Sequence, residues 1–302
     1  MDKSIGFIGF GEASYQICRG FKEDNLDGIG AYDVLLSSGT EAQINALKNR
    51  AAETSVRLIN DLPELLGADI VFVAVPAKHA ESVVTQALPF LRPGQLIADI
   101  TTNRPQIKLR LGQLLEEKGA LYADASVMGA VPLYKHRTPT IVSGNGARKM
   151  IELLGPLGMD LTFVGLEPGR AVKMKLTRSV FIKGIEAITL EMLLTARQLG
   201  IEDEIMEGLQ KSFDTQGFTK LVGQLVTSNT IHAARRSIEA EECMELIEDS
   251  GFDPVMMEAT KRKLRWSADL GYSKMNPPPK CATLKELYAL WDELGIIQPT
   301  PA

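Results

Sequence analysis

The chain has 302 residues, 45% of them apolar, and a formal net charge of −5 from 33 Lys and Arg against 38 Asp and Glu. This length carries one large domain or two ordinary ones, and both signs of charge are spread along it without a Lys/Arg-rich block. That argues against nucleic acid or an anionic membrane as a partner. The three cysteines, Cys18, Cys243 and Cys281, lie far apart without Cys-x-x-Cys spacing. This speaks against a disulfide framework or a structural zinc site. No signal pattern or membrane-length apolar run is visible, so a soluble cytoplasmic protein without a metal is expected.

In chain order, "SIGFIGF" reads as a buried strand, followed by a helix from about Glu12 to Glu23. "GIGAYDVLL" is a second strand and "TEAQINALKNRA" a helix. "VRLI" is a short strand and "LPELLGA" a short helix. "DIVFVAVP" is the strongest strand signal, β-branched and continuous until Pro76. A helix follows it, then a strand at "GQLIADIT", a helix over 104–118, strands at "LYADASVM" and "PTIVSG", a helix at "ARKMIELLGPLG" and a last strand at "DLTFVG". Continuous apolar strands imply a sheet covered on both faces, and strand–helix alternation implies parallel crossovers. The expectation is a doubly wound, Rossmann-type α/β domain over 1–166.

From 167 to 302 the pattern is helical throughout. One helix of about 30 residues runs from Arg170 to the stop at Gly200, and "NPPP" breaks the chain before a last helix at "TLKELYALWDELG". The expectation is an all-helical domain serving substrate binding and dimerisation. Apolar residues along the long helix, among them Val180, Phe181, Ile185, Leu190 and Leu193, exceed what one interface needs. They point to a homodimer through this domain.

The first strand runs into "GFGEAS", which has Gly9 and Gly11 of a G-x-G-x-x-G fingerprint and Ser14 at the third position. It follows a strand and opens a helix, as a dinucleotide turn requires. Gly9 permits the tight turn, and Gly11 lets the backbone of Phe10, Glu12 and Ala13 approach a pyrophosphate at the helix N-terminus. Ser14 substitutes for the third glycine with some loosening of helix–strand packing. Asp33, 24 residues after Gly9, ends the second strand, where a carboxylate accepts from the adenosine ribose. It repels a 2′-phosphate and is followed by Val34 rather than an arginine, which favours NAD over NADP, although Ser37, Ser38 and Lys48 leave a phosphate site open.

The order of segments resembles the β-hydroxyacid dehydrogenase family, related to 6-phosphogluconate dehydrogenase, over essentially the whole chain. "GFIGFGEAS" matches its nucleotide turn, Val75-Pro76 its strand end beside the dinucleotide, and "DITT", with Thr101, its strand end near the nicotinamide. The resemblance places substrate contact in "DASVMGA", where Met128 stands for a family serine and Ala130 for a second glycine, with Gly129 retained. A thioether cannot donate a hydrogen bond, so carboxylate recognition here would fall to backbone N–H groups. In "GRAVKMKLTRS" the family lysine is matched by Lys175, while Ser179 replaces an asparagine. Lys175, Ser179 and Lys183 also share one helix stripe by spacing alone, a pattern that a solvated face would equally give. His232 and Arg235 lie where the family places basic residues near the active site, although Arg235 and Glu239 have ordinary surface-pair spacing. His79 and His136 read as loop residues without a role.

The resemblance implies hydride transfer between a nicotinamide and a small hydroxyacid-like alcohol or carbonyl, with Lys175 as general acid/base. A lysine near its reference pKa of about 10.4 needs desolvation or a cationic neighbour for this, and Lys183 or Arg178 is a candidate. Two rivals remain: an imine or ketone reductase on the same scaffold, and a dinucleotide-sensing protein without turnover.

Overall fold

The computed structural model describes residues 4–275 and 279–297; positions 276–278 of the expected proline break lie outside the described residues. The N-terminal elements are β1 (Ile5–Ile8), α1 (Glu12–Glu23), β2 (Ile29–Tyr32), α2 (Leu35–Ser38), α3 (Glu41–Thr54), β3 (Arg57–Ile59), α4 (Leu62–Leu65), β4 (Ile70–Val73), α5 (Ala77–Ala87), β5 (Leu96–Asp99), α6 (Pro105–Glu117), β6 (Leu121–Val127), α7 (Val131–Tyr134), β7 (Thr140–Ser143), α8 (Ala147–Leu154) and β8 (Leu161–Gly165). Beyond β8 the described elements are helical: α9 (Arg170–Leu199), α10 (Glu202–Gln216), α11 (Phe218–Thr227), α12 (Asn229–Asp249), α13 (Val255–Asp269) and α14 (Leu284–Glu293).

The strands form one eight-stranded sheet in the order β3-β2-β1-β4-β5-β6-β7-β8. From β1 the chain winds outward to β2 and β3, then returns to place β4 on the other side of β1. The carboxyl ends of β1 and β4 therefore flank a topological switch point, the crevice where open α/β sheets take ligands. Ile70–Val73 is buried at every position, because helices cover both faces, so its apolar run does not alternate. Phe7 and Phe72 stack on one face with ring centroids 4.6 Å apart. Ile8, Val71 and Val73 pack on the other face with Val84 of α5 and Leu111 of α6.

Two local expectations are corrected. The second strand stops at Tyr32 and "LLSS" is the helical turn α2, because Asp33 Oδ1 accepts the Leu35 N–H at 3.0 Å and starts a turn. The sheet is also not parallel throughout: β6 and β7 pair antiparallel, with Asp124 opposite Ser143. Their connection holds only short helical turns and closes through Met128 N–H to Pro139 O at 2.7 Å, so no crossover helix carries the chain back.

The chain divides into two compact units, 1–180 and 181–302. This division falls inside α9, whose first turns are bonded to β6 and β7. Gly200, with φ +72°, stops α9 as its sequence suggests. In the second unit, α12 packs against α13, and the small residues Ala233, Ser237 and Ala240 of α12 are buried. Glu191 of α9 caps α13, accepting from Met256 N–H and Met257 N–H at 2.8 Å each. No helix among the described residues is long and apolar enough to cross a membrane.

Candidate cofactor and active site

The glycine turn is built for close approach. Gly9 has φ +89°, and a Cβ there would lie 2.5 Å from Ala74 O and 2.9 Å from Val75 Cγ1. The β1 and β4 ends therefore meet at this point only because residue 9 has no side chain. Gly11 differs: a Cβ there would meet nothing within 4 Å. It is the N-cap of α1 and supplies no side-chain bond to the first turn. Open space in front of uncapped N–H groups at a helix N-terminus is the environment a pyrophosphate needs.

Ser14 does not loosen this turn. Its fully buried hydroxyl donates to Gly9 O at 2.7 Å and ties α1 back onto the glycine loop. Phe10 is likewise internal: its ring is buried in the core and its N–H donates to Asp33 Oδ2 at 2.8 Å. Asp33 thus braces the turn with one oxygen and starts α2 with the other, while remaining half-buried. The Ser37 and Ser38 hydroxyls both donate to Val34 O. Glu12 is exposed and paired with Arg50 at 3.1 Å. Ala13 is half-buried and packs against the core, while Val75 and Pro76 lie one residue beyond β4, after Ala74.

At the end of β5, Thr101 is buried and bonds back to Asp99 Oδ1 through both N–H (2.9 Å) and hydroxyl (2.7 Å). The next residue, Thr102, is exposed, and its Oγ1 lies 2.8 Å from Lys175 Nζ in the second turn of α9. The strand end and the lysine, each singled out from sequence, are thereby brought together. Met128 is half-buried, its carbonyl accepting from Arg178 at 3.2 Å. Gly129 and Ala130 follow it as exposed backbone leading into α7. Ser179 is half-buried one turn beyond Lys175.

Lys183, His232 and Arg235 belong to the second unit. Lys183 is exposed, His232 is half-buried on α12, and Arg235 pairs with Glu239 one turn on. His79 is not in a loop but in α5. His136 is buried, with Nε2 2.8 Å from Asp24 Oδ2 and its ring 5.0 Å from that of Phe21. A side chain at Gly20 would collide with it.

Sequence reasoning missed Lys108, Tyr122 and Ser143, all fully buried beside Asp99 and Asp124. Lys108 Nζ lies 2.9 Å from Asp99 Oδ2 and 3.3 Å from Asp124 Oδ1. The available signal was a lysine on an otherwise apolar stripe with Leu111 and Leu115. Burial, with Asp99 and Asp124 nearby, pushes the Tyr122 phenol well above its ordinary pKa. It stays protonated and donates to Asp99 Oδ2 at 2.7 Å.

A doubly wound sheet with a glycine turn at its switch point, an acid just after β2 and an open α1 N-terminus defines a dinucleotide-binding protein. Residues 4–164 match the NAD binding domain of 6-phosphogluconate dehydrogenase, and the chain belongs to that NAD-binding, hydroxyacid dehydrogenase-like family. Residues 196–267 match a domain of unknown function, DUF1932. A conserved hypothetical protein from Sinorhizobium meliloti 1021 is 31% identical, with TM-score 0.59 over 88% of each chain. The 2-(hydroxymethyl)glutarate dehydrogenase of Eubacterium barkeri is 26% identical over 216 residues, 68% of each protein. A reductive aminase from Aspergillus terreus shares the fold at 16% identity, with TM-score 0.72 over 90% of this chain and 95% of that one.

Proposed function

We propose that the protein is an NAD(P)-dependent oxidoreductase interconverting a small hydroxyacid-like alcohol and its carbonyl, with Lys175 as the general acid/base. The observation that carries this reading is the Lys175 Nζ–Thr102 Oγ1 contact of 2.8 Å just beyond the carboxyl end of β5. A flexible ammonium is held there by a hydroxyl, on the side of the sheet formed by the strands' carboxyl ends, where α/β ligands bind. The bound nicotinamide supplies or accepts the hydride. The chain's own tasks are then to hold the dinucleotide and to move one proton at Nζ. Gly9, Gly11 and the N–H groups of Glu12 and Ala13 take the pyrophosphate, and Asp33 takes the ribose. Asp33, with the Ser37 and Ser38 hydroxyls already donating to Val34 O, supports NADH over NADPH. Substrate contact falls to residues 128–130 and Ser179, with Lys183, His232 and Arg235 as further candidates. The helical region from 167 onward serves substrate binding and dimerisation.

One observation favours a second reading, reduction of an imine or ketone lacking a carboxylate. Met128 offers a thioether where a hydroxyl would recognise an acid, and its carbonyl is already engaged by Arg178.

The test is a screen of hydroxyacids, keto acids and imines with each nucleotide, followed by steady-state kinetics of Lys175→Ala. Turnover should fall by about 10²–10⁴, the usual worth of a positioned proton-transfer group, while NADH affinity stays near wild type. Lys175→Arg should not rescue it, because a guanidinium does not deprotonate. Wild-type turnover in Lys175→Ala would remove this lysine from the mechanism.

A further inference from the structure

The proposed chemistry does not explain the placement of Lys108, fully buried beneath the candidate site. A fully buried ammonium is costly unless it is paired and hydrogen-bonded. Its Nζ is surrounded by Asp99 Oδ2 at 2.9 Å, Asp99 O at 3.1 Å and Asp124 Oδ1 at 3.3 Å. The two carboxylates hold different parts of the fold. Asp99 Oδ1 folds the β5 end through Thr101, immediately before Thr102. Asp124 Oδ2 accepts from Gly169 N–H at 3.0 Å, Val172 N–H at 3.3 Å and the Ser143 hydroxyl at 3.3 Å. Ser143 Oγ in turn accepts Ala171 N–H at 3.1 Å. These are N–H groups at the start of α9 that have no acceptor within the helix itself. Lys175 follows Val172 by three residues on the same helix.

We propose that Lys108 is the positioning residue for Lys175. One ammonium ties the carboxylate that shapes the Thr102 turn to the carboxylate that caps α9, and so sets the two sides of the Lys175–Thr102 contact relative to each other. Without it, two buried carboxylates face one another with no cation between them. One must take up a proton or turn away, and α9 loses its registration on β5. An apolar residue of the same length would fill the space but would not join the two supports. The catalytic consequence rests on the reading of Lys175 as the proton-transfer group; the positional claim does not.

The experiment is pulse acylation of the full-length protein with acetic anhydride, with the rate at each lysine read by mass spectrometry across a range of pH. Thr102→Val serves as the reference in which the contact is broken directly. Lys108→Met removes the cation, and Lys108→Met/Asp124→Asn removes it together with one carboxylate. The asparagine carbonyl still accepts from the start of α9, so the double variant should fold even where the single one does not. The expected result is a several-fold rise in Lys175 acylation, with the pH profile of Thr102→Val, in whichever Lys108 variant is folded by circular dichroism. Lys149, on α8, should label at its wild-type rate. A folded variant whose Lys175 labelling and pH profile match wild type would overturn the proposal. So would failure of the double variant to fold, since Lys108 would then be a general support of the core. Loss of catalytic standing for Lys175 would appear in the turnover of Lys175→Ala and leave this labelling result unaffected.

Discussion

The two units of the chain use the same classes of apolar residue in opposite ways. In the first, large side chains of the sheet such as Phe7, Phe72 and Tyr122 have no exposed surface. In the second, Leu190 is 60% exposed, Ile238 61% and Leu225 53%. A sheet with crossover helices on both faces finishes its own core. A set of helices buries only the stripes that meet within the chain, and here α9, α11 and α12 keep further apolar positions in solvent. A contiguous exposed apolar patch marks an interaction face, and the homodimer proposed through the helical unit is one that would bury these positions. Independence of the first unit and incompleteness of the second can be tested by substitution.

Phe72→Ala should have the largest effect. It removes a stacked, fully buried ring and should cost about 3–5 kcal/mol in denaturant unfolding of the first unit. A much smaller loss would mean that the sheet core is less closed than described.

The two glycines of the turn should separate stability from binding. Gly9→Ala forces a Cβ to 2.5 Å from Ala74 O at φ +89° and should destabilise by about 1–3 kcal/mol. Gly11→Val projects into open space, so its melting temperature should match wild type while NADH binding, followed by fluorescence titration, is lost. Retained NADH binding in Gly11→Val would remove the turn from the cofactor site.

His136 gives the first unit a pH-dependent weakness. Burial pushes its imidazole below the ordinary value, outweighing the favourable Asp24 carboxylate, while Arg137 adds to the lowering. The unfolded chain then takes up the proton first as pH falls. Stability is therefore full above about pH 6.5 and is lost as pH drops from there through the folded-state value, by about 1.4 kcal/mol for each tenfold loss of proton affinity. Unfolding curves at a series of pH values should show this slope in wild type and lose it in His136→Gln. An unchanged slope in the variant would assign the effect to other groups.

The smallest effect should come from Leu190→Ala. In a monomer a half-exposed leucine on a helix should change stability by no more than about 0.5 kcal/mol. Light scattering should nevertheless show wild type as a dimer at micromolar concentration and this variant as weakened in association. A wild-type monomer would end the homodimer proposal, and a large loss of monomer stability would place Leu190 in an intramolecular core instead.

The sequence by itself determined the element order and the split between a strand–helix half and a helical half. Each rests on local signals: the unbroken apolar run at Ile70–Val73, the proline and glycine stops, and the helical period up to Gly200. The glycine turn and Asp33 were legible because their spacing to strand and helix is fixed within one βαβ unit. Lys175 was legible only through its match to a family pattern, since a lysine on a helix otherwise reads as a solvated face. Tertiary structure alone decided the antiparallel turn-back of β6 onto β7, where the connection forms short turns instead of a crossover helix. It also gave Ser14 its bond to Gly9 O, turned "LLSS" from strand to helical turn through Asp33, and made His136 a core residue. The Asp99–Lys108–Asp124 cluster draws its members from β5, α6 and β6. Helical periodicity offered only a lysine on an apolar stripe of α6 and could not name its partners, because a buried charge is tolerated only when groups distant in sequence converge on it, and that convergence is a property of the folded sheet.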